Sequence, residues 1–367
     1  QEMVANDATY NWPDLVTQTG HSQNHYVAVS GSNDNVSYHF GVGYDGNKGV
    51  YKGDAQDKLN FKGSVDAKLN KVITAGFNIN MAYIDNEYAN DDAIKVAYRM
   101  TPFSIPYDAD GNVNHLPGNK GALGTNEHQF SDNISPLDLM KNTYKQRETW
   151  RLMGNAYLQL NLMKGLNVKT SFSPSYSSYR QGYVVGYENP NVPGKTYADA
   201  DLSSASTTLV NHRSISWTWD NIVNWNTKFG KDHSLGVMGL FSAVYGNSEN
   251  YQWVTTGAMA KTDWFNMGTG TFNADDSKSS YTESSMLSYA LRANYGYKDK
   301  YLLTATVRWD GSSKFADGHK WGSFPSVAAA WRVTEENFMK KLDWISNLKL
   351  RVAYGVTGNN TGIGNYE

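Results

Sequence analysis

Hydrophobic and polar residues alternate with a period of two along most of the chain. From Leu59 to Leu69 the odd positions are apolar or glycine and the even positions are polar, and the stretch from Tyr301 to Asp310 repeats the pattern. Residues that alternate in this way lie on opposite faces of a β-strand. The pattern predicts an all-β chain in which each strand has one apolar and one polar face.

About twelve strands are predicted, joined by connections that alternate between short and long. The predicted strands lie near 22–31, 35–44, 57–70, 72–84, 147–163, 165–183, 210–230, 232–247, 284–297, 299–310, 323–334 and 347–357. The short connections are 31–35, 70–71, 164–165, 230–231 and 298–299, and the long ones are 45–56, 85–146, 184–209, 247–283 and 311–322. The last connection, 334–347, falls in a short position but is long enough for a helix capped by Thr334.

This alternation is typical of an antiparallel up-and-down transmembrane β-barrel with short periplasmic turns and long extracellular loops. Soluble sandwiches use Greek-key crossings instead. Aromatic residues also end several apolar faces, and Trp217, Trp219 and Trp225 share one face of a single strand. Such residues form the girdles that flank the lipid-facing band of a barrel. We therefore expect the loops near 85–146, 184–209, 247–283 and 311–322 to lie outside the cell.

The direction of the first strand indicates an arc of a larger barrel. It leads into a short turn and so runs toward the periplasm, whereas bacterial barrels normally begin with a strand that runs outward. A closed barrel of twelve strands is the alternative, because backbone groups in lipid must all be paired. We expect the chain, residues 1–367, to be a barrel fragment from a longer protein.

Composition narrows the possible functions. The formal net charge is −2, which argues against a basic tract for nucleic acid. The chain has no cysteine, and this excludes disulfides, cysteine-bound metals and thiol nucleophiles within it. No run of about 20 apolar residues predicts a membrane-spanning helix. No catalytic constellation is recognisable, so we expect neither an enzyme nor a cofactor.

One segment resembles the start of a calcium-binding loop. Asp108, Asp110 and Asn112 place oxygen atoms at alternate positions, but the downstream bidentate glutamate is missing. Asp-Gly is also common turn chemistry, and this favours a turn over a metal site. His21 and His25 are about 13 Å apart on an extended strand, too far to bind one zinc ion.

Two groups of residues are candidates for ligand contact. Alternation places several polar residues on inward faces, where they would pack against protein inside the barrel or contact a ligand. They are Asn78, Asn80, Asn155, Gln159, Asn161, Asn294, Arg308 and Asp310. The second group consists of aromatic residues in a long loop, Tyr251, Trp253, Trp264 and Phe265. Their rings would stack on sugars, or pack against a partner protein or against their own loop.

Ordered motifs occur over nearly the whole chain. The most specific lie late in the chain, at Arg308 to Phe315, Trp321 to Ser326, Ala330 to Arg332, Asn347 to Arg351 and Tyr354 to Asn360, and earlier segments are Trp12 to Gly20 and Ser135 to Asp138. In order and spacing these motifs resemble the SusC/RagA family of TonB-dependent outer-membrane transporters of Bacteroidetes.

The resemblance implies a barrel of about 22 strands, of which this chain would form roughly strands two to thirteen. It also implies an upstream plug domain, against which the inward polar residues would pack, and a segment that binds TonB. A SusD-like surface lipoprotein is implied as a lid, against which the loop aromatics would pack. The implied activity is energised import of an oligosaccharide or, as an alternative, a peptide. A non-transporting barrel or adhesin is a further alternative. The implied location is the outer membrane of a Gram-negative bacterium, in contact with its lipid.

Overall fold

The computed structural model describes residues 9–108, 110–115, 117, 134–186, 205–257, 264–339, 342 and 344–365. Within these residues, every helix is too short or too polar to cross a membrane. The strands dominate, as the alternation predicts. All of them belong to one antiparallel sheet.

Twelve long strands follow one another through the sheet in chain order. They are β1 (His21–Ser32), β2 (Val36–Lys48), β3 (Ala55–Lys68), β4 (Ile73–Glu87), β5 (Thr143–Met163), β6 (Leu166–Val185), β7 (Ser206–Phe229), β8 (His233–Thr256), β10 (Lys278–Tyr297), β11 (Tyr301–Ser312), β12 (Trp321–Arg332) and β13 (Lys349–Gly355). The short strand β9 (Thr271–Phe272) pairs with the end of β8. The predicted up-and-down antiparallel architecture is confirmed.

The sheet has two distinct ends and two open edges. All the tight turns lie at one end, which we call the turn end, together with the longer β12–β13 connection. The other long connections lie at the opposite end, the loop end. β1 and β13 are the two edge strands and do not pair with each other. The sheet is therefore an open arc, as predicted, and not a closed barrel of twelve strands.

The register assigns each strand one polar and one apolar face. Paired residues of neighbouring antiparallel strands lie on the same face, so the pairing of Asn78 with Asn155 defines the polar face through β4 and β5. Aromatic residues on the apolar face lie eight positions apart, Trp217 and Trp225 on β7 and Tyr301 and Trp309 on β11. Counted inclusively, each pair spans nine residues, and a tilted strand of about 9–11 residues crosses the hydrocarbon. The rings therefore lie near the two boundaries of the lipid-facing band, as aromatic girdles do.

The central strands are much longer than those on either flank. β5 to β8 and β10 have 20 to 24 residues, whereas β11 and β12 have 12 each. About 9–11 residues are enough to cross the hydrocarbon of a bilayer. The central part of the sheet therefore extends well beyond that thickness at its loop end.

Because the central strands continue beyond the thickness of the bilayer, several predicted strand ends were wrong. The eighth strand was expected to end at 247 and the ninth to begin at 284, but β8 continues to Thr256 and β10 begins at Lys278. Next to the predicted ends, Ser248 to Asn250 and Thr282 to Glu283 are polar on both faces, so the apolar contrast that reveals a strand in the sequence is interrupted there.

A small apolar core lies beside the loop end of the sheet, between short helices. These are α1 (Trp12–Val16), α2 (Asp91–Ala97) and α3 (Pro136–Lys141). Trp12, Val16, Ala97 and Met100 form the buried cluster. The backbone N–H of Lys52 donates to the carbonyl of Val16 at 3.0 Å and ties α1 to the β2–β3 connection.

The helix predicted in 334–347 is wrong for the described part of that connection. A single 3₁₀ turn at Val333–Glu335 stands there, without a side-chain cap, and the backbone is extended at Glu336. The Glu336 carboxylate accepts hydrogen bonds from Tyr301 Oη at 2.6 Å, Lys300 Nζ at 3.0 Å and Trp331 Nε1 at 3.2 Å. These contacts bind the connection to the strand ends and compete with continuation of a helix.

Candidate ligand-binding face

All eight polar residues predicted to face inward lie on the polar face of the sheet, but they form two separate groups. One group lies on β4 and β5 and consists of Asn78, Asn80, Asn155, Gln159 and Asn161. The other lies on β10 and β11 and consists of Asn294, Arg308 and Asp310. β6, β7 and β8 separate the groups, so they do not form one site.

Contacts within the wall occupy much of the first group. Asn155 Nδ2 donates to Ser173 Oγ at 2.8 Å, and Gln159 Nε2 donates to Asn161 Oδ1 at 2.9 Å. The bond from Asn155 lies where the β5–β6 ladder is interrupted beside Pro174, which has no backbone N–H to donate. Asn155 therefore bridges two strands at a gap in their backbone pairing.

Two members of the second group, Arg308 and Asp310, border a cavity at the loop end, whereas Asn294 lies near the turn end and lines a different cavity. Arg308 Nε donates to both carboxylate oxygens of Asp310 at 2.8 Å, and Arg308 Nη2 donates to the buried Ser288 hydroxyl at 3.0 Å. Arg308 and Asp310 line a cavity of about 860 Å³, which Asn359 and Asn360 border on the far side. Because the two charges neutralise each other, this cavity has little net charge from them.

The aromatic candidates lie away from the polar face. Tyr251 and Trp253, expected in a loop, belong to β8 and pair with Asn211 and Leu209 on the apolar-face side. Trp264 is 1% exposed, and its ring stacks on that of Phe265 at a centroid distance of 4.3 Å.

Trp264 is held against the outer side of β6. The guanidinium of Arg180 lies 4.6 Å from the Trp264 ring centroid. Gly182, two positions along the strand, leaves the space that the indole fills, because a Cβ there would collide with the ring. Trp264 packs on Phe265 of its own loop, one of the interpretations open from the sequence, and it also packs against β6, which the sequence did not suggest. Residues 258–263 of the same loop lie outside the described part.

Asp108, Asp110 and Asn112 form a turn. The Asp108 carboxylate accepts hydrogen bonds from the backbone N–H groups of Asp110 at 2.9 Å and Asn112 at 2.8 Å. These bonds hold the pKa of Asp108 below its usual value, the bond from Asn112 most of all. Among the described residues, no three histidine or carboxylate side chains are arranged to hold a metal ion.

Four planar side chains stand side by side on the polar face near the loop end. We call Tyr88, Arg147, Tyr179 and His212 the stacked row. The Arg147 guanidinium lies 4.6 Å from the Tyr179 ring centroid and 5.8 Å from that of Tyr88. The Tyr179 and His212 rings are stacked with a centroid distance of 4.9 Å. These distances approximate the spacing of neighbouring strands, about 4.8 Å.

Four cations lie in and around the stacked row without carboxylate partners. We call Lys145, Arg147, Arg151 and Lys278 the rim cations. None of them forms an ion pair with a carboxylate of the described residues. On the opposite face, at the same distance from the turn end, charged side chains form ion pairs. Arg180 pairs with Glu148 at 2.8 Å, and Arg213 pairs with Glu249 at 2.6 Å.

Sequence reasoning missed the stacked row. The alternation alone places Lys145, Arg147 and Arg151 on one face, so the sequence could have indicated this group of cations. The sequence could not indicate the stacking, because Tyr179 and His212 meet only through the β6–β7 register.

Comparison with known proteins confirms the resemblance to TonB-dependent receptors. The TonB-dependent receptor P26 of Formosa agariphila is 29% identical over 360 residues, which are 95% of this chain and 34% of that protein. The TonB-dependent receptor SusC of Bacteroides thetaiotaomicron is 26% identical over 384 residues, 96% of this chain and 35% of that protein. No protein-family model matches the chain.

A solved structure of the RagAB peptide transporter has the same fold. It superposes with a TM-score of 0.79 over 98% of this chain and 39% of that chain, at 18% identity. The ferripyoverdine receptor of the Pseudomonas aeruginosa outer membrane is more distant, with a TM-score of 0.52 over 85% of this chain and 39% of that chain, at 14% identity. The fold is that of an outer-membrane receptor barrel, and this chain spans about a third of the length of its curated relatives.

Proposed function

We propose that the whole protein, a relative of the SusC/RagA receptors, imports a nutrient across the outer membrane with energy supplied through TonB. Within it, residues 1–367 form an arc of the barrel wall. The observation that carries this proposal is a sheet with one apolar and one polar face, in a chain that is similar to TonB-dependent receptors along 95% of its length. The apolar face contacts lipid, and the polar face lines the lumen.

The partners follow from the same proposal. TonB acts through a part of the protein outside this chain, and a plug domain fills the lumen. A SusD-like surface lipoprotein covers the loop end, which faces the outside of the cell. The relatives are named as receptors and transporters, which favours a role without catalysis.

The proposed nutrient is an oligosaccharide, with the protein as the barrel subunit of a SusCD-type complex. The polar face around the stacked row is rich in hydroxyl and amide groups, which suit sugar hydroxyls. A peptide is the second candidate, because the fold is also that of the RagAB peptide transporter. A non-transporting barrel or adhesin would need no TonB.

Uptake by the full-length protein in its native host tests the proposal. Growth on oligosaccharides or on peptides as the limiting nutrient should require this gene, and it should stop when TonB is deleted. The matched control is growth on a monosaccharide that passes through porins, which should not change. Growth that needs the gene but continues without TonB would contradict energised import.

A further inference from the structure

We propose that the stacked row and the rim cations bind an acidic oligosaccharide, one whose sugars carry carboxylate or sulfate groups. This deepens the proposed import function and rests on it. The observation that carries the inference is a difference between two faces of the same strands. At the loop end, the apolar-face side has paired charges, whereas the polar face has four cations without described carboxylate partners.

The register shows that the rim cations belong to one surface. Arg147 pairs with Gln181 across β5 and β6, and Lys145 pairs with Tyr183 one step nearer the loop end. Gln252 pairs with Lys278 across β8 and β10. The surface therefore reaches across five strands, β5 to β10 apart from the short β9, with cations at both sides.

Each ring or guanidinium of the stacked row is partly covered by its neighbour, so less of its flat face is available to a ligand. Polar atoms remain at the ends of these side chains. They belong to the two tyrosine hydroxyls, the Arg147 guanidinium and the imidazole of His212. Hydrogen-bond donors on such a row favour anionic oxygens and sugar hydroxyls over the stacking of a sugar ring.

Arg147 is held in place before any ligand arrives. Its Nε donates to Gln181 Oε1 at 2.9 Å, and the rings of Tyr88 and Tyr179 lie on either side of its guanidinium. Little side-chain freedom is left to lose when an anion binds, and this preorganisation favours affinity. The arrangement leaves Nη1 without a described hydrogen-bond partner and free to donate.

Neighbouring positions fit a carbohydrate better than an acidic peptide. The next row toward the turn end contains Ser177, Ser214 and Ser248, which pair in register across β6, β7 and β8. Hydroxyl groups both donate and accept, as sugar hydroxyls require.

The surface also lies where a ligand from outside can reach it. On β5, Arg147 is near the loop-end residue Thr143 and far from the turn-end residue Met163. The about 9–11 residues next to the turn end are enough to cross the hydrocarbon. The rim cations therefore lie in water, where salt screens them.

Calorimetric titration of the full-length protein in detergent tests the inference. The probes are oligogalacturonate, its methyl ester, a sulfated dextran oligomer, a maltooligosaccharide and polyglutamate. We expect oligogalacturonate or the sulfated dextran to bind, and the methyl ester and the maltooligosaccharide to bind at least about tenfold more weakly, because each charge-assisted bond is worth about tenfold or more. Added salt should weaken the binding.

Variants locate the binding surface. Arg147→Gln and Lys145→Gln should each weaken binding of the anionic probe by about tenfold or more. Arg213→Gln is the matched control, because Arg213 lies at the same height on the opposite face and is paired with Glu249. It should leave binding unchanged. A heat-modifiable band on a gel shows that each variant is folded. If one of the two rim variants does not fold, the other still tests the inference.

Several results would overturn the inference. They are equal binding of charged and neutral sugars, failure of both anionic sugars to bind, unchanged binding by both folded rim variants, and preferential binding of polyglutamate. If TonB-dependent uptake of a neutral nutrient continues, only this inference fails. If the gene has no TonB-dependent uptake at all, the proposed function fails as well.

Discussion

Single residues decide how the long loops lie against the wall. Trp264 is buried although it belongs to a long connection, and the missing side chain of Gly182 makes that possible. Asn155 likewise closes a gap beside Pro174 with its amide. Both residues were candidates for ligand contact from the sequence, and the structure gives both a partner within the wall.

Gly182→Ala should release the Trp264 loop. The added methyl group would overlap the indole, and overpacking of this kind typically costs about 1–3 kcal/mol. We expect faster protease cleavage near residue 264 in the full-length protein, with the barrel itself intact. Gly239→Ala on β8 is the matched control, since a Cβ there meets nothing within 4 Å. Equal cleavage of the two variants would show that Gly182 does not seat the loop.

Glu336 should make the β12–β13 connection sensitive to acid. Hydrogen bonds from Tyr301, Lys300 and Trp331, the first being the largest cause, lower the pKa of Glu336 to about 2 from an ordinary 4.5. Because the pKa of Glu336 is lower in the folded than in the unfolded protein, its ionised carboxylate stabilises the folded state at pH values above the pKa of the unfolded chain. This stabilisation is lost as the pH falls toward the pKa of the folded protein. The stabilisation should thus be constant above about pH 5 and decline between about 4.5 and 2.

Thermal unfolding of the wild type and Glu336→Gln between pH 7 and pH 2 checks this expectation. The wild type should be more stable at neutral pH, and the difference should shrink below pH 4.5. Glu335→Gln controls for the change in charge alone, because Glu335 pairs only with Arg332 among the contacts of the described residues. A difference between wild type and Glu336→Gln that stays constant down to pH 2 would contradict the assignment.

At the scale of the strand, the face of each residue decides its tolerance of charge. On β11, Val307 pairs with Leu291 and Pro325 on the apolar face, whereas Thr304 pairs with Asn294 and Ala328 on the polar face. In a barrel, a charge on the lipid side must enter hydrocarbon, while a charge on the lumen side remains near water or polar groups.

Val307→Arg should therefore impair folding more than Thr304→Arg. Arginine at the middle of a lipid-facing strand costs about 2–4 kcal/mol. The measurement is the folded fraction of the full-length variants in lipid vesicles, from the heat-modifiable band on a gel along a urea series. The reverse ranking would mean that the assignment of the two faces to lipid and lumen is inverted.

The strands that cross the membrane were predictable from the sequence, and their extensions were not. Along β11, lipid on one side and the lumen on the other enforce a regular alternation from Tyr301 to Asp310. Along the loop-end part of β8, water lies on both sides of the strand. Positions such as Asn250 and Tyr251 can therefore both hold polar residues, and no regular alternation is enforced. The partners of the stacked row could not be predicted, because they depend on register between strands far apart in the chain.

At the scale of the whole molecule, the alternation of connections predicts which end faces outward. The turn at 230–232 is short and lies at the turn end, whereas the connection between β8 and β10 lies at the loop end. Outer-membrane barrels have short turns in the periplasm and long loops outside.

Cysteine labelling of intact cells tests this orientation. The chain has no native cysteine. Asp275→Cys at the loop end should react with an impermeant thiol reagent in the full-length protein, and Lys231→Cys at the turn end should react only after the outer membrane is opened. Any cysteine outside this chain would first be replaced. Labelling of position 231 but not 275 in intact cells would invert the proposed topology.

In the proposed importer, the long central strands separate capture of a ligand from its translocation. They hold the stacked row beyond the bilayer, in contact with the medium, so occupancy of this surface is an equilibrium that needs no cellular energy. Cells without a proton gradient should still retain the anionic sugar at their surface, although none of it reaches the periplasm. If retention also disappears when the gradient is removed, the surface on β5 to β10 is accessible only in an energised state.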